Sequence, residues 1–349
     1  MQIVVAPDSF KGTATAAAVA SALADGWTSE RPEDDLVLAP MADGGEGTLD
    51  AFATAVPDAV RVPVTVTGPA GTPVDTSWLR LPDGRAVVEL AATSGLPLLA
   101  EPLPGTATSR GFGEAIAAAL DAGATGLVLG IGGSASTDGG RPVLEALGAD
   151  TGGTDPTAGL RPLPPLGVTV LTDVTSPLLG PDGAAAVFGP QKGIAPDRVA
   201  WFEDQLATWA ARFPAVDPTT PGAGAAGGVG FALLAWGAAL TRGAEGVAEV
   251  LGLPALLRGA DVVLTGEGRY DGQSAAGKVP SVVRSLAAAH APAARTMLVA
   301  GEVDAPLDGF DAGASLTVIA TQTTGEPSDA LRDPLRFATI AGQRLARTA

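Results

Sequence analysis

Short aliphatic runs, each ending in small or acidic residues, recur along the chain. The first three are "IVVAPDSFKG" (residues 3–12), "LVLAPMADGGEG" (36–47) and "LVLGIGGSASTDGG" (127–140). "VTVLTDVTSPLLG" (168–180), "VVLTGEG" (262–268), "MLVAGEVD" (297–304) and "LTVIAT" (316–321) follow. Four to six apolar, often β-branched residues followed by helix-compatible sequence are the pattern of buried parallel strands. Residues 13–24, 47–55, 113–122 and 279–289 are the expected intervening helices. In an open α/β sheet the ligand crevice lies outside the carboxyl ends of the strands, where these polar, glycine-rich segments fall.

Between Arg61 and Glu89 the pattern changes to alternating apolar and polar residues, with turn signals at 68–71 and 83–84. This predicts an antiparallel meander. It separates the first two parallel-type strands from the rest, while the runs near 262, 297 and 316 again look doubly wound. The expected fold class is α/β with two domains. One, 1–62 plus 257–349, is a parallel-sheet domain formed by both chain ends, and the other, 63–256, is an inserted α/β domain.

The chain has 349 residues, 46% of them hydrophobic, with 47 glycines and 29 prolines that punctuate apolar runs. An ordered, turn-rich globular protein follows. The net charge of −17 repels polyanions and argues against a nucleic-acid partner. Small anions remain possible at helix N-termini or local cations. The absence of cysteine excludes disulfides and thiolate zinc sites. No basic segment with an apolar core precedes "IVVAP", and no 18-residue span lacks polar breaks, so a cytoplasmic protein without a membrane partner is expected.

The basic residues change the picture further. Of 21, only three are lysine: Lys11, Lys192 and Lys278, each beside a glycine. A compact ammonium next to permissive backbone suits a phosphoryl site, where lysine acts as a point charge. Leftover surface lysines are the alternative. Exchange of each for arginine is therefore expected to harm activity while leaving folding nearly unchanged.

Phosphoryl transfer needs backbone donors, cations and metal-holding carboxylates more than a strong base. "PDSFKG" offers Asp8, Ser9 and Lys11 between a strand and a helix. "MADGGEGT" sets Asp43 and Glu46 around Gly44 and Gly45. "GIGGSASTDGG" surrounds Ser134, Ser136, Thr137 and Asp138 with glycines that include Gly132 and Gly133, and such a loop can aim several N–H groups at one anion. Asp173 ends a strand as a candidate magnesium ligand. Helix capping and tight turns account for the same residues. The G-x-G-x-x-G of Gly222, Gly224 and Gly227 follows "FPAVDPTTP", a loop, so it lacks the strand that dinucleotide binding requires. A phosphate at that glycine-rich helix start, which includes Gly228, stays open.

"LTGEGRYDGQSAAGKVP" places Gly272, Gly277 and Lys278 as in a phosphate loop, but Val279 replaces the metal-binding hydroxyl. "VVLT" reads as the strand and "GEGRYDGQSAAGK" as the loop. Metal ligands here would have to be Glu267 or Asp271. The only histidine, His290, ends a predicted helix, so histidine base chemistry is not expected.

Taken together, "APDSFKGT", "MADGGEGT", "GTATSRGFGEAI", "GIGGSASTDGG", "DVTSPLLG", "FGPQKGI", "GAGAAGGVGFAL" and "TGEGRYDGQSAAGKVP" resemble the bacterial glycerate kinase family in order and spacing. The resemblance departs at Ser136 and Thr137, where the family usually has Thr-Asn, and at "RPVLEALGA". It implies ATP- and magnesium-dependent phosphorylation of D-glycerate to 2-phosphoglycerate. A 3-kinase, another hydroxy-acid kinase, an NAD-linked dehydrogenase and an anion-binding module are the alternatives. It also implies a Rossmann- or flavodoxin-like domain joined to a second α/β domain, with the site in the cleft between.

Lys11, Asp43, Asp173, Lys192 and Lys278 fall inside matching motifs and are the catalytic candidates. Asp43, Asp173, Glu267 and Asp271 are the metal candidates. Asp8, Ser9, Gly44, Gly45, Glu46, Gly132, Gly133, Ser134, Thr137, Asp138, Gln191, Gly224, Gly227, Gly228, Gln273 and Ser274 are expected to bind substrate or phosphate.

Overall fold

The computed structural model describes residues 1–10, 12–272 and 278–349. The candidates Lys11, Gln273 and Ser274 lie outside them. In chain order the strands are β1 (Gln2–Pro7), β2 (Asp35–Leu38), β3 (Val60–Thr67), β4 (Pro73–Arg80), β5 (Arg85–Glu89) and β6 (Gly126–Gly130). They continue with β7 (Val168–Leu171), β8 (Ala239–Thr241), β9 (Val262–Tyr270), β10 (Arg295–Val303) and β11 (Ala312–Ser315).

The chain divides into two compact units. The first comprises residues 1–43, 50–57 and 244–349, and the second residues 44–49 and 58–243. The first holds a five-stranded, wholly parallel sheet in the order β11-β10-β9-β1-β2. Its core joins Ile3, Val5, Leu264 and Val299 to Leu23 and Trp27 of the helix Ala16–Glu30 and to Phe337 and Ala341 of Pro334–Ala346. Thr15 starts the first of these helices by accepting from the Ala18 N–H at 3.2 Å.

The second unit holds a six-stranded sheet in the order β3-β4-β5-β6-β7-β8. The expected meander is present: β3, β4 and β5 pair antiparallel, and β5 through β8 then run parallel. Val88, Leu129 and Val170 carry the core, with Phe112, Phe213 and Phe231 packed on it. The two parallel-dominated sheets bear out the α/β class. Among the described residues no helix is long and apolar enough to cross a membrane.

Two local expectations are corrected. "LTVIAT" is not a strand but the first part of the helix Leu316–Thr324. Its β-branched residues favour a strand, yet Leu316, Ile319 and Ala320 share one buried face at helical spacing. The strand is the preceding Ala312–Ser315. Ser315 caps the helix, Gly325 ends it in a left-handed turn, and the Thr321, Thr323 and Thr324 hydroxyls bond back to carbonyls one turn earlier. The second correction concerns β9, which runs on through Glu267 to Tyr270 instead of becoming loop after Thr265. Pairing of Arg269 with Glu302 and of Tyr270 with Val303 extends the ladder, and Arg269 makes an ion pair with Asp304 at 2.5 Å.

Candidate functional site

In the first sheet the strand order reverses between β1 and β9, and the crevice at the carboxyl ends of those strands is where ligands of open α/β sheets sit. Sequence candidates gather there. Asp8, buried, follows β1. Its N–H bonds the Gly266 carbonyl at 2.8 Å and its carboxylate accepts from the Ser9 N–H at 2.7 Å. The Glu267 carboxylate, also buried, lies 3.4 Å from the Lys278 ammonium, and Asp271 lies 3.9 Å from it. Lys278 immediately precedes the helix Val279–His290, and Pro280 sits in the first turn of that helix as expected. Asp43, half-buried, belongs to the same unit. His290 is an exposed helix-end residue.

The second unit builds a tighter cluster at the carboxyl ends of β5, β6 and β7. Two glycine-rich turns lie backbone to backbone there. The Gly132 N–H donates to the Gly44 carbonyl at 2.9 Å, and a Cβ on Gly132 would stand 2.6 Å from the Gly45 Cα. Part of the glycine content of both motifs is thus packing, whatever ligand they meet. The turn after Gly45 is held by Glu89, a buried carboxylate at the end of β5 that accepts from the N–H groups of Gly47 and Leu49 at 3.2 and 2.9 Å. Sequence reasoning missed Glu89. Its one signal was a lone acid closing the apolar run "AVVEL".

The loop after β6 surrounds Lys192, of which only 2% remains exposed. The lysine ends the short turn Pro190–Lys192, and its ammonium donates to the Ser134 hydroxyl at 2.7 Å and to the Ser136 carbonyl at 2.5 Å. Burial pulls its pKa down to about 8, against the opposing pull of the Asp138 charge. Asp138 retains some residue surface, but its carboxylate is enclosed. It accepts from the Ser109 N–H at 2.7 Å, the Ser109 hydroxyl at 2.9 Å and the Gly140 N–H at 3.0 Å. Desolvation pushes its pKa up, against those hydrogen bonds and the Lys192 charge. Ser109 lies in the motif "GTATSRGFGEAI", where nothing in the sequence marks it apart from its neighbours.

The wall beside Lys192 is the segment Ala226–Gly228. The helix Ala225–Trp236 is broken there by three successive left-handed residues with φ of 54, 67 and 96°. Ala226 is the only non-glycine with positive φ among the described residues. A Cβ on Gly227 would come within 2.1 Å of the Ser136 carbonyl and 3.0 Å of the Lys192 ammonium. No strand leads into these glycines, so the dinucleotide context is absent here as the sequence indicated. Gly224 instead donates its N–H to the Ser176 carbonyl at 3.0 Å.

Within this enclosure the hydroxyls of Ser136 and Thr137 are buried without a hydrogen-bond partner among the described residues. Such groups usually carry a cost of about 1–3 kcal/mol until something pairs with them. Gln191 and Glu46 are exposed at the rim of their turns. Asp173 is also exposed and accepts from the Gly243 N–H at 2.8 Å, which ties it to the start of the helix Gly243–Val250.

The glycerate kinase family model matches residues 3–163 and 157–349, which together run through nearly the whole chain. The chain belongs to the glycerate kinase family. It is 42% identical over 315 residues to a relative from Escherichia coli named glycerate 2-kinase, with 82% of each chain covered. It is also 42% identical over 313 residues to a glycerate kinase from Bacillus subtilis, again with 82% of each covered. A crystal structure from Salmonella typhimurium LT2 that carries the name glycerate kinase 2 superposes with a TM-score of 0.80 at 37% identity, covering 100% of this chain and 98% of that one. The chain is therefore a member of a family of phosphotransferases, and its two-sheet α/β architecture is a fold that the family shares.

Proposed function

We propose that this protein transfers the terminal phosphoryl group of ATP to D-glycerate and forms 2-phosphoglycerate. Membership of the glycerate kinase family supports the reaction class, and the 42% identity to a relative named glycerate 2-kinase supports the position of transfer. The observation that carries the chemistry is the Lys192 enclosure: a buried ammonium beside two buried hydroxyls that lack partners among the described residues. A small acid meets that need. Its carboxylate accepts from the Lys192 ammonium, and its oxygens pair with the Ser136 and Thr137 hydroxyls. Lys192 already spends two of its three N–H donors on Ser134 and Ser136, which fixes the direction of the third.

On this reading Lys278 and the backbone around Asp8 and Ser9 serve the phosphates, with Lys11 as a further cation. Asp43 or Asp173 accepts the alcohol proton or holds metal. Magnesium typically keeps several waters and takes one or two carboxylates plus substrate phosphates. The hard oxygens of Glu267 and Asp271 suit it, and Lys278 beside them partly balances their charge. When bound, the ion would neutralise charge on the phosphates.

Turnover of D-glycerate with ATP, with the product position read by phosphorus NMR, tests the proposal. A 2-phosphoglycerate signal is expected. A clean 3-phosphoglycerate signal overturns the regiochemistry, and hydride transfer to NAD or binding without turnover overturns the kinase reading.

A further inference from the structure

The first unit contains a cavity of about 430 Å³ that draws Tyr270, Asp271 and Gly272 from the motif "LTGEGRYDGQSAAGKVP" and the rest of its lining from residues outside every motif above. It opens beyond the carboxyl ends of β9 and β10, and its lining includes Tyr270, Asp271, Ser281, Arg284, Asp308 and Phe310. Tyr270, the only tyrosine of the chain, meets Phe310 edge to face at 5.9 Å. The Arg284 guanidinium lies 6.0 Å from the Phe310 ring centre and packs against Gly309, where an added Cβ would stand 2.4 Å from it. The cavity therefore combines flat aromatic and guanidinium walls with hydrogen-bonding groups. Its volume falls within the roughly 300–1,000 Å³ of small-molecule sites.

Its charge decides what class of ligand it takes. Asp271 and Asp308 outnumber Arg284, so the lining is net acidic and disfavours a phosphate group. A planar, uncharged heterocycle with exocyclic N–H donors suits it, because the Asp308 carboxylate can accept those donors while arginine and aromatic faces stack on the ring. Asp271 is also the residue 3.9 Å from the Lys278 ammonium, so a ligand seated in the cavity has a phosphate-binding cation directly beside it.

We propose that this cavity binds the nucleoside end of the phosphoryl donor, with its base against Arg284 and Phe310 and its phosphates leaving toward Lys278. The inference rests on the kinase reading and adds a location and a recognition chemistry to it.

Two measurements test it. Calorimetric affinities for ADP and for inorganic triphosphate are compared among the wild-type protein, Ala305→Trp, which fills the cavity from its rim, and Asp308→Asn. Ala305→Trp should weaken ADP at least tenfold while triphosphate changes less than twofold, and Asp308→Asn should weaken ADP severalfold. Photolabelling of the wild-type protein with 8-azido-ADP should mark peptides within 270–284 or 305–310, and it decides the matter if Ala305→Trp does not fold. Unchanged ADP affinity in both variants, equal losses for triphosphate, or a label elsewhere overturns the cavity assignment. If the wild-type protein phosphorylates glycerate while ADP binding ignores the cavity, only this inference falls. If it binds no nucleotide and phosphorylates nothing, the kinase reading falls with it.

Discussion

Lys192 donates to the Ser134 hydroxyl at 2.7 Å with both residues buried, so the loop after β6 sets the ammonium's position and solvent does not. This alters what an arginine exchange should do. A surface lysine would accept arginine within about 0.5 kcal/mol. At Lys192 the larger, planar head has to enter a space bounded by Ser136 and Gly227, and overpacking of this kind costs about 1–3 kcal/mol. Lys192→Arg should therefore lower both stability and kcat/KM, the latter by tenfold or more, or about 1.4 kcal/mol of transition-state stabilisation. Lys278→Arg should affect kcat/KM with little change in stability, because that side chain is 41% exposed. Urea unfolding together with steady-state kinetics distinguishes the two.

The partnerless hydroxyls make an opposite-signed prediction. Removing a hydrogen-bonded hydroxyl usually destabilises a protein by about 1 kcal/mol. Among the described residues the Ser136 and Thr137 hydroxyls have no hydrogen-bond partner to lose. Ser136→Ala and Thr137→Val should be neutral or up to about 1 kcal/mol stabilising, while the KM for glycerate rises at least fivefold. Glycerate should then raise the melting temperature of the variants less than that of the wild type. Variants that melt early and bind glycerate normally would show that the two hydroxyls serve the fold.

The depressed Lys192 pKa gives a pH signature. In the unfolded chain the lysine keeps its proton up to its ordinary 10.5, whereas in the folded protein it releases it near 8. Between those values the unfolded state binds more protons, so this group makes stability rise with pH. Below about 8 the full cost of burying the charge applies. Asp138 runs in the opposite sense: burial raises its pKa, so its contribution is fullest below 3.8 and fades as pH rises. The unfolding free energy of the wild type should therefore climb relative to Lys192→Met between about pH 8 and 10. Over the same range kcat/KM for glycerate should fall as the ammonium is lost. A constant stability difference from pH 7 to 10 would contradict the assignment.

The parallel strands β1, β2, β6, β7, β9 and β10 were legible because each contains a short apolar run between polar turns, and the meander because alternation leaves a period of two; β8 and β11, with the sequences ALT and AGAS, carry no such run. The helix Leu316–Thr324 was not, since its composition favours strand and only the burial of Leu316, Ile319 and Ala320 on one face decides otherwise. Candidate site residues stood out where they sit in glycine-rich turns. The burial of Lys192 was not, because the turn Ala226–Gly228 that walls it in comes much later in the chain. Glu89 and Ser109 escaped for the same reason: each acts through a backbone or carboxylate partner brought to it by the sheet.

Metal dependence follows from the donor set. With no cysteine and one histidine, the chain offers carboxylate and carbonyl oxygens, which prefer magnesium or manganese to zinc. Turnover should stop in excess EDTA and return with magnesium. Glu267→Gln should raise the magnesium concentration needed for half-maximal rate severalfold, while Asp173→Asn should chiefly loosen the start of the helix Gly243–Val250 and leave that concentration unchanged. Full activity in EDTA would remove metal from the scheme.

The left-handed turn offers the sharpest paired test, because neighbouring residues should respond in opposite directions. Ala226 holds φ at 54°, a conformation that costs an L-residue about 1–2 kcal/mol and glycine almost nothing. Ala226→Gly should thus leave stability unchanged or raise it slightly, the relief being partly offset by the greater freedom of glycine in the unfolded chain. Gly227→Ala adds the same kind of strain and also drives a methyl to within 2.1 Å of the Ser136 carbonyl. That contact cannot stand, so the loop carrying Ser136 or the Lys192 ammonium must move. A loss of more than about 2 kcal/mol in stability is expected, with glycerate turnover reduced at least a hundredfold. If Gly227→Ala folds and turns over normally, the turn is not what holds Lys192 in place, and the enclosure is not where glycerate binds.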